Sequence, residues 1–343
     1  MAGTARQTMF VYEVYGYGLT SRAWLNVKMK LLVTGCAGFI GSHVSEALLK
    51  RGDSVVGVDD LNDYYDVKKK EKNLKILQKS PEFAFYKEDI RNYQGLKKIF
   101  EKEKPEKVVH IAARAGVRSS IEQPLLYEEV NVKGTLNLLD LAKDYKIKSF
   151  VFASSSSVYG NQKKIPFSES DNVDNPISPY AATKKAAELI CYTYHHLYNM
   201  KITCLRFFTV YGPRGRPDMA PYLFIDWIVK GQPIKRFGDG TTKRDYTYIT
   251  DIVKGVVSAV DKELDFEIIN LGNNQPIMLN DFIKVIEKST GKKAVIKEIP
   301  MQPGDVDITY ADISKAQKLL GYKTETSIEE GMKKFFEWYK KNI

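Results

Sequence analysis

The chain of 343 residues holds only three cysteines, Cys36, Cys191 and Cys204. They are odd in number and widely spaced, which argues against a disulfide framework or a zinc-binding C-x-x-C pair and points to reduced thiols in a cytoplasmic protein. Histidine is nearly as scarce, with four in the chain. His110 lies in an apolar strand and reads as a packed core residue, while His195 and His196 sit on a helix without metal-ligand partners, so no metal is expected. No stretch approaches 18 uninterrupted apolar residues, which leaves no candidate for a membrane-spanning helix. The formal charge is +10, yet no basic stripe interleaved with aromatics appears, so nucleic acid is not an expected partner. Lysines instead mix with acids along helical stretches, as in Lys97-Lys98-Ile99-Phe100-Glu101-Lys102-Glu103-Lys104, and read as solvated helix faces. The excess positive charge can still attract an anionic substrate.

What the chain does have is enough apolar residue, 43%, for a large core. The first 28 residues stand apart. They are rich in aromatics without a clear period and lack the order of a signal peptide. No role is assigned to them, and the functional chain is expected to begin near Met29. From Lys30 onward short apolar runs ("KLLVTG", "SVVGVDD", "EFAFYKEDI", "KVVHIAA", "SFVFASS") alternate with helical segments. Strands separated by helices predict βαβ units, hence an α/β fold with a Rossmann-like doubly wound parallel sheet.

Between the first strand and the first helix lies Gly35-Cys-Ala-Gly38-Phe39-Ile40-Gly41. Glycines there permit a tight turn and close approach of backbone to a pyrophosphate, whose charge the helix N-terminus favours. Asp59 ends the next strand, 18 residues past Gly41. Its carboxylate suits ribose hydroxyls and repels a 2′-phosphate, so NAD is expected over NADP.

Farther on, "SPYAATKKAAELI" places Tyr180 and Lys184 four residues apart, on one helix face. A lysine charge near the phenol can lower its pKa, and a phenolate can take a proton from a sugar hydroxyl as hydride leaves the same carbon. A strand ending in four serines, Ser154 to Ser157, precedes this pair by about 25 residues.

Together these motifs resemble the extended short-chain dehydrogenases of the nucleotide-sugar epimerase and dehydratase group, over residues 29 to 340. Among them the chain is most similar to the UDP-glucuronate 4-epimerases. The resemblance implies a tightly bound NAD, a UDP-sugar substrate and a transient 4-keto sugar. It divides the chain into an NAD-binding domain, 29–206, and a smaller α/β substrate-binding domain, 207–343, interleaved with the first. For the cofactor it implies Gly35, Gly38, Phe39, Ile40 and Gly41 at the phosphates, and Asp59 and Asn62 at the adenosine ribose. It further implies Asp89 and Ile90 at adenine, Ala112, Ala113 and Ala115 as a wall, and Asn131 beneath the active site. Ser155, Tyr180 and Lys184 match the catalytic residues. It also implies that the helices around 125–143 and 180–199 pair into a homodimer interface.

Ser156 and Ser157 stand where dehydratases carry two acids and decarboxylases usually a Glu. Neutral hydroxyls suit a uronate carboxylate: charge-assisted hydrogen bonds contribute about 1.5–3 kcal/mol each, whereas a glutamate at contact would repel it by roughly 1 kcal/mol or more. Thr209 is compatible with a third donor, and Arg216 resembles the arginine typical of uronate epimerases, able to clamp a carboxylate. By the same resemblance Arg118 and Arg244 approach the pyrophosphate, Phe237 lies beside uracil, and Gln302 and Asp305 make the last uridine-diphosphate contacts. Thr309 is a small residue where some relatives have Tyr, which keeps a 4-epimerase of UDP-N-acetylhexosamines or their uronates in view. A decarboxylase and a catalytically silent NAD-binding scaffold are the remaining alternatives.

Overall fold

The structure is a computed structural model that describes residues 28–300 and 307–342. The strands are β1 (Lys30–Thr34), β2 (Ser54–Asp59), β3 (Phe83–Lys87), β4 (Lys107–His110), β5 (Ser149–Ser155), β6 (Ile202–Phe207), β7 (Thr209–Tyr211), β8 (Ile234–Phe237), β9 (Lys243–Tyr248), β10 (Phe266–Leu271), β11 (Pro276–Met278) and β12 (Ile296–Ile299). Seven of them form one parallel sheet in the order β3-β2-β1-β4-β5-β6-β10. This is the doubly wound architecture expected from the alternating pattern.

The central strands are rich in β-branched and aromatic residues and buried on both faces, as a parallel sheet covered by helices demands. Alternation divides the core: Leu31 and Val33 join one apolar cluster, while Leu32 between them joins the other. The sheet order reverses direction between β1 and β4, and a crevice opens beyond their C-terminal ends. Gly35 follows β1 and Ala112 follows β4, so both lie there.

The second half adds two small sheets. β9 pairs in parallel with β7 and antiparallel with β11, and β8 pairs in parallel with β12. They carry Thr209, Phe237 and Arg244 to the crevice. β10 comes from this half of the sequence yet completes the main sheet beside β6. Among the described residues, no helix is long and apolar enough to cross a membrane, and no group of three or more His, Cys, Asp or Glu could hold a metal ion.

Candidate active site

Backbone geometry builds the glycine loop. Gly35 has φ +69°, and a Cβ there would lie 2.8 Å from the Ala112 nitrogen. A Cβ on Gly41 would lie 2.1 Å from the Gly35 carbonyl oxygen. Both positions therefore require glycine. Gly38 caps the helix Phe39–Lys50 without any side-chain acceptor. The first-turn N–H groups of that helix are left for an anion, as a dinucleotide phosphate needs.

Asp59 ends β2, buried, with its two carboxylate oxygens accepting from the backbone N–H groups of Ala37 (3.0 Å) and Leu61 (2.9 Å). Burial pushes its carboxyl up, against the pull of the Lys70 ammonium and these two donors. Lys70 is buried and donates to the Asn62 carbonyl at 2.8 Å. An open cleft is lined by Gly35, Gly38, Phe39, Ile40, Gly41, Asp59, Asn62, Asp89, Ile90, Ala112, Ala113 and Ala115, and Tyr180 and Lys184 line it too. Of the residues expected around a dinucleotide, Asn131 alone does not line it. Asn131 lies behind the wall in a single π-helical turn, Glu129–Lys133. It bridges the Arg114 backbone (2.8 and 2.9 Å) and Thr183 Oγ1 (3.0 Å), tying that wall to the helix of Tyr180.

That helix, Pro179–Tyr198, starts where Ser178 Oγ accepts from the Ala181 N–H at 3.1 Å, with Pro179 in its first turn. Tyr180 and Lys184 project on one face and line the same cleft. The Lys184 ammonium donates to the Ala153 carbonyl at 2.7 Å, and burial lowers its pKa to about 7. Burial also pushes the Tyr180 phenol up, and the groups that pull it back are the Ser155 hydroxyl and the Arg216 guanidinium. Lys184 thus bonds the end of β5, and Arg216 is the charged group that favours the phenolate.

The four serines divide into separate tasks. Ser154 Oγ donates to Glu188 at 2.5 Å inside the core. Ser155 ends β5 and its Oγ accepts from the Ser157 N–H at 3.2 Å, capping the 3₁₀ turn Ser156–Tyr159. It also donates to Ser157 Oγ at 3.2 Å. Ser155, Ser156 and Ser157 line a second cavity together with Tyr180, Arg216, Thr209 and Thr309. This cavity adjoins the first through Tyr180 and Arg216, which line both. A third cavity continues from it past Arg118, Thr209 and Arg244 to Phe237. The Arg118 guanidinium lies 4.4 Å from the Phe237 ring centroid. Gln302 and Asp305 lie outside the described residues.

His110 is a core residue. Ala112 N–H donates to Thr34 Oγ1 and Thr135 Oγ1 donates to the Asn131 carbonyl, so Thr34 donates to His110 Nδ1 (2.8 Å) and His110 Nε2 donates to Thr135 (2.9 Å). Burial lowers its pKa to about 3, so the ring is neutral.

Residues 32–335 match the model of the GDP-mannose 4,6 dehydratase family. The chain belongs to this family. A relative from Thermodesulfobacterium geofontis named UDP-glucuronate 4-epimerase is 54% identical over 313 residues, covering 91% of this chain and 96% of the relative. The Bacillus cereus UDP-glucuronic acid 4-epimerase, solved in complex with UDP-glucuronic acid and NAD, superposes with TM-score 0.87 at 38% identity, over 92% of this chain and 100% of that one. A UDP-N-acetylglucosamine 4-epimerase from Methanobrevibacter ruminantium superposes with TM-score 0.85 at 30% identity, over 92% and 99%.

In this member of the GDP-mannose 4,6 dehydratase family the sequence reading missed four neighbours of the site. Glu188 follows Lys184 by one helical turn and so continues the face of Tyr180 and Lys184, a spacing that could have revealed it. Lys70 sits in a lysine-rich helix with nothing in the sequence to distinguish it from its neighbours. Asp218 chelates Arg216, which donates from Nε (3.0 Å) and Nη2 (2.5 Å). Tyr64 follows Asn62 by two residues and accepts from the same guanidinium at 3.2 Å.

Proposed function

We propose that the chain is a UDP-glucuronate 4-epimerase that interconverts UDP-glucuronate and UDP-galacturonate through a transient 4-keto sugar, with tightly bound NAD. The observation that carries this reading is one cavity in which Tyr180 faces Ser155, Ser156, Ser157 and the Arg216 guanidinium. Hydroxyls and a guanidinium are a carboxylate-binding set, and here they adjoin the group that handles the proton.

The glycine loop, the bare helix N-terminus and Asp59 suit NAD, which would supply reversible hydride transfer at the sugar C4. The protein's part is proton handling and orientation. Ser155 orients the 4-hydroxyl and passes its proton to Tyr180, whose charged form Arg216 favours. Ser156 and Ser157 hold the carboxylate, so that a 4-keto uronate, a β-keto acid, is not aligned to lose CO2. Arg118 and Arg244 take the pyrophosphate, Phe237 stacks beside the base, and Gln302 and Asp305 complete the nucleotide contacts. Residues 29–206 serve mainly the cofactor and 207–343 mainly the UDP-sugar, with Arg118 and the serines of the first half reaching the sugar cavity. We further propose a cytoplasmic homodimer, given three buried free thiols and exposed leucines on neighbouring helices. Thr309 at the sugar cavity supports a second reading, a 4-epimerase of UDP-N-acetylglucosamine or its uronate.

Incubation of the purified protein with UDP-glucuronate and no added cofactor, followed by proton NMR, tests this. UDP-galacturonate without CO2 loss is the expected product. UDP-xylose or a 4-keto pentose would install the decarboxylase reading instead. Turnover of UDP-N-acetylglucosamine alone would install the second.

A further inference from the structure

We infer that Tyr64 is a positioning residue for uronate selection, fixing the Arg216 guanidinium against the cofactor wall while a substrate carboxylate replaces Asp218 on it. The inference rests on the proposed epimerase reading and adds a residue outside the expected site.

Three segments meet at the Tyr64 phenol. Its backbone N–H is held by Asn62 Oδ1 at 3.1 Å, beside the ribose-binding turn. Its hydroxyl donates to the Ala115 carbonyl at 2.6 Å, on the wall of the dinucleotide cleft. The same oxygen accepts from Arg216 Nη2 at 3.2 Å, across 152 residues of sequence. Gly116 makes room for it: a Cβ there would stand 2.8 Å from the phenol oxygen. The ring has the Arg216 guanidinium at 5.1 Å and that of Arg114 at 5.5 Å from its centroid, within cation–π range.

Arg216 is therefore pulled from two sides. Asp218 is the stronger partner by charge, and its side chain is 41% exposed against 18% for Arg216. An incoming carboxylate competes with Asp218 for the same N–H groups. While that exchange occurs, contacts on the inner side must keep the guanidinium facing the sugar. The inner contacts are Tyr64 and, at 3.4 Å, the Ala115 carbonyl. Without the phenol oxygen, Asp218 would draw the guanidinium toward solvent, and a uronate would lose more than a neutral sugar. Ala115 itself would stay satisfied, since Tyr127 also donates to it at 2.9 Å.

The test is Tyr64→Phe, which keeps the ring and removes the oxygen. Affinities of the NAD-loaded protein for UDP-glucuronate and UDP-glucose are measured by titration calorimetry, with NAD per chain measured alongside. The expected result is a roughly five- to tenfold loss for UDP-glucuronate, the scale of one net hydrogen bond, with UDP-glucose affinity and NAD content unchanged. In an Arg216→Gln background the same change should have no further effect. Equal losses for both sugars, no loss for either, or a full effect without Arg216 would each overturn the role of Tyr64. The wild-type protein separates this from the parent reading. If it does not epimerise UDP-glucuronate, the proposed function falls and the Tyr64 role with it. If it does, and Tyr64→Phe keeps the uronate preference, only the Tyr64 role falls.

Discussion

Arg206 and Glu188 are each about 1% exposed and joined by two bonds, from Nε at 2.9 Å and Nη2 at 2.8 Å. Ser154 adds a third donor to Glu188, and the Tyr159 ring lies 4.8 Å from the guanidinium. The pair joins β6 to the helix of Tyr180 and Lys184, so it sets how deeply that helix packs. Removing one partner of a buried ion pair leaves an uncompensated charge and costs about 3–5 kcal/mol, whereas replacing both with apolar groups can be neutral. Arg206→Met should therefore lower unfolding free energy by that amount in urea denaturation, and Ser154→Ala by about 1 kcal/mol. Arg206→Met with Glu188→Leu should recover most of the loss, and no recovery would mean that packing matters more than charge at this site. The arginine within "TCLRFF" advertises a buried partner, but only the tertiary register between strand and helix names Glu188. The role inferred for Tyr64 was hidden for a stronger reason, since its partner Arg216 is distant in sequence and meets it through loop packing.

Where function rides on a single local element, the sequence was far more legible. The strand β1, the loop from Gly35 and the helix Phe39–Lys50 are contiguous, and their glycine spacing follows from contacts within that unit. Gly41→Ala tests this. Its methyl would overlap the Gly35 carbonyl at 2.1 Å, and backbone on both sides leaves no flexible group to yield. The helix must move from the loop, so the purified variant should retain far-UV circular dichroism but carry less than about a tenth of the NAD of the wild type, read by absorbance after acid precipitation. A 1.4 kcal/mol loss already gives that factor. Normal NAD content would show that the loop does not set cofactor affinity. By contrast, the π-helical turn at Asn131 leaves no mark in composition, because a shift of one backbone hydrogen bond needs no special residue. The chain of bonds from Thr34 through His110 and Thr135 to Asn131 was equally hidden, since each link joins a different element.

At the scale of the whole molecule, alternating strands and helices declare a doubly wound sheet. The placement of β10 beside β6 is not declared, because a crossover from the second half leaves no local trace. The outer face of the molecule poses the last question. Leu125 is 79% exposed, Leu189 55% and Leu136 40%, on the helices Pro124–Glu128, Pro179–Tyr198 and Gly134–Asp144. Leu197, at 61%, and Ile121, at 50%, are exposed as well. Isolated exposed leucines need no partner, but several on adjoining helices mark an interface. The proposed second copy of the chain would cover such a face, since a two-fold axis sets like residues against each other. The protein should therefore elute in size exclusion with light scattering at twice its 39.1 kDa chain mass. Leu125→Glu with Leu189→Glu would place four carboxylates in that interface and should give the single-chain mass. Both side chains point to solvent in the single chain, so the doubly substituted protein should still fold, with unchanged far-UV circular dichroism. A monomeric wild type would refute the dimer, and a variant that stays dimeric would move the interface to another face.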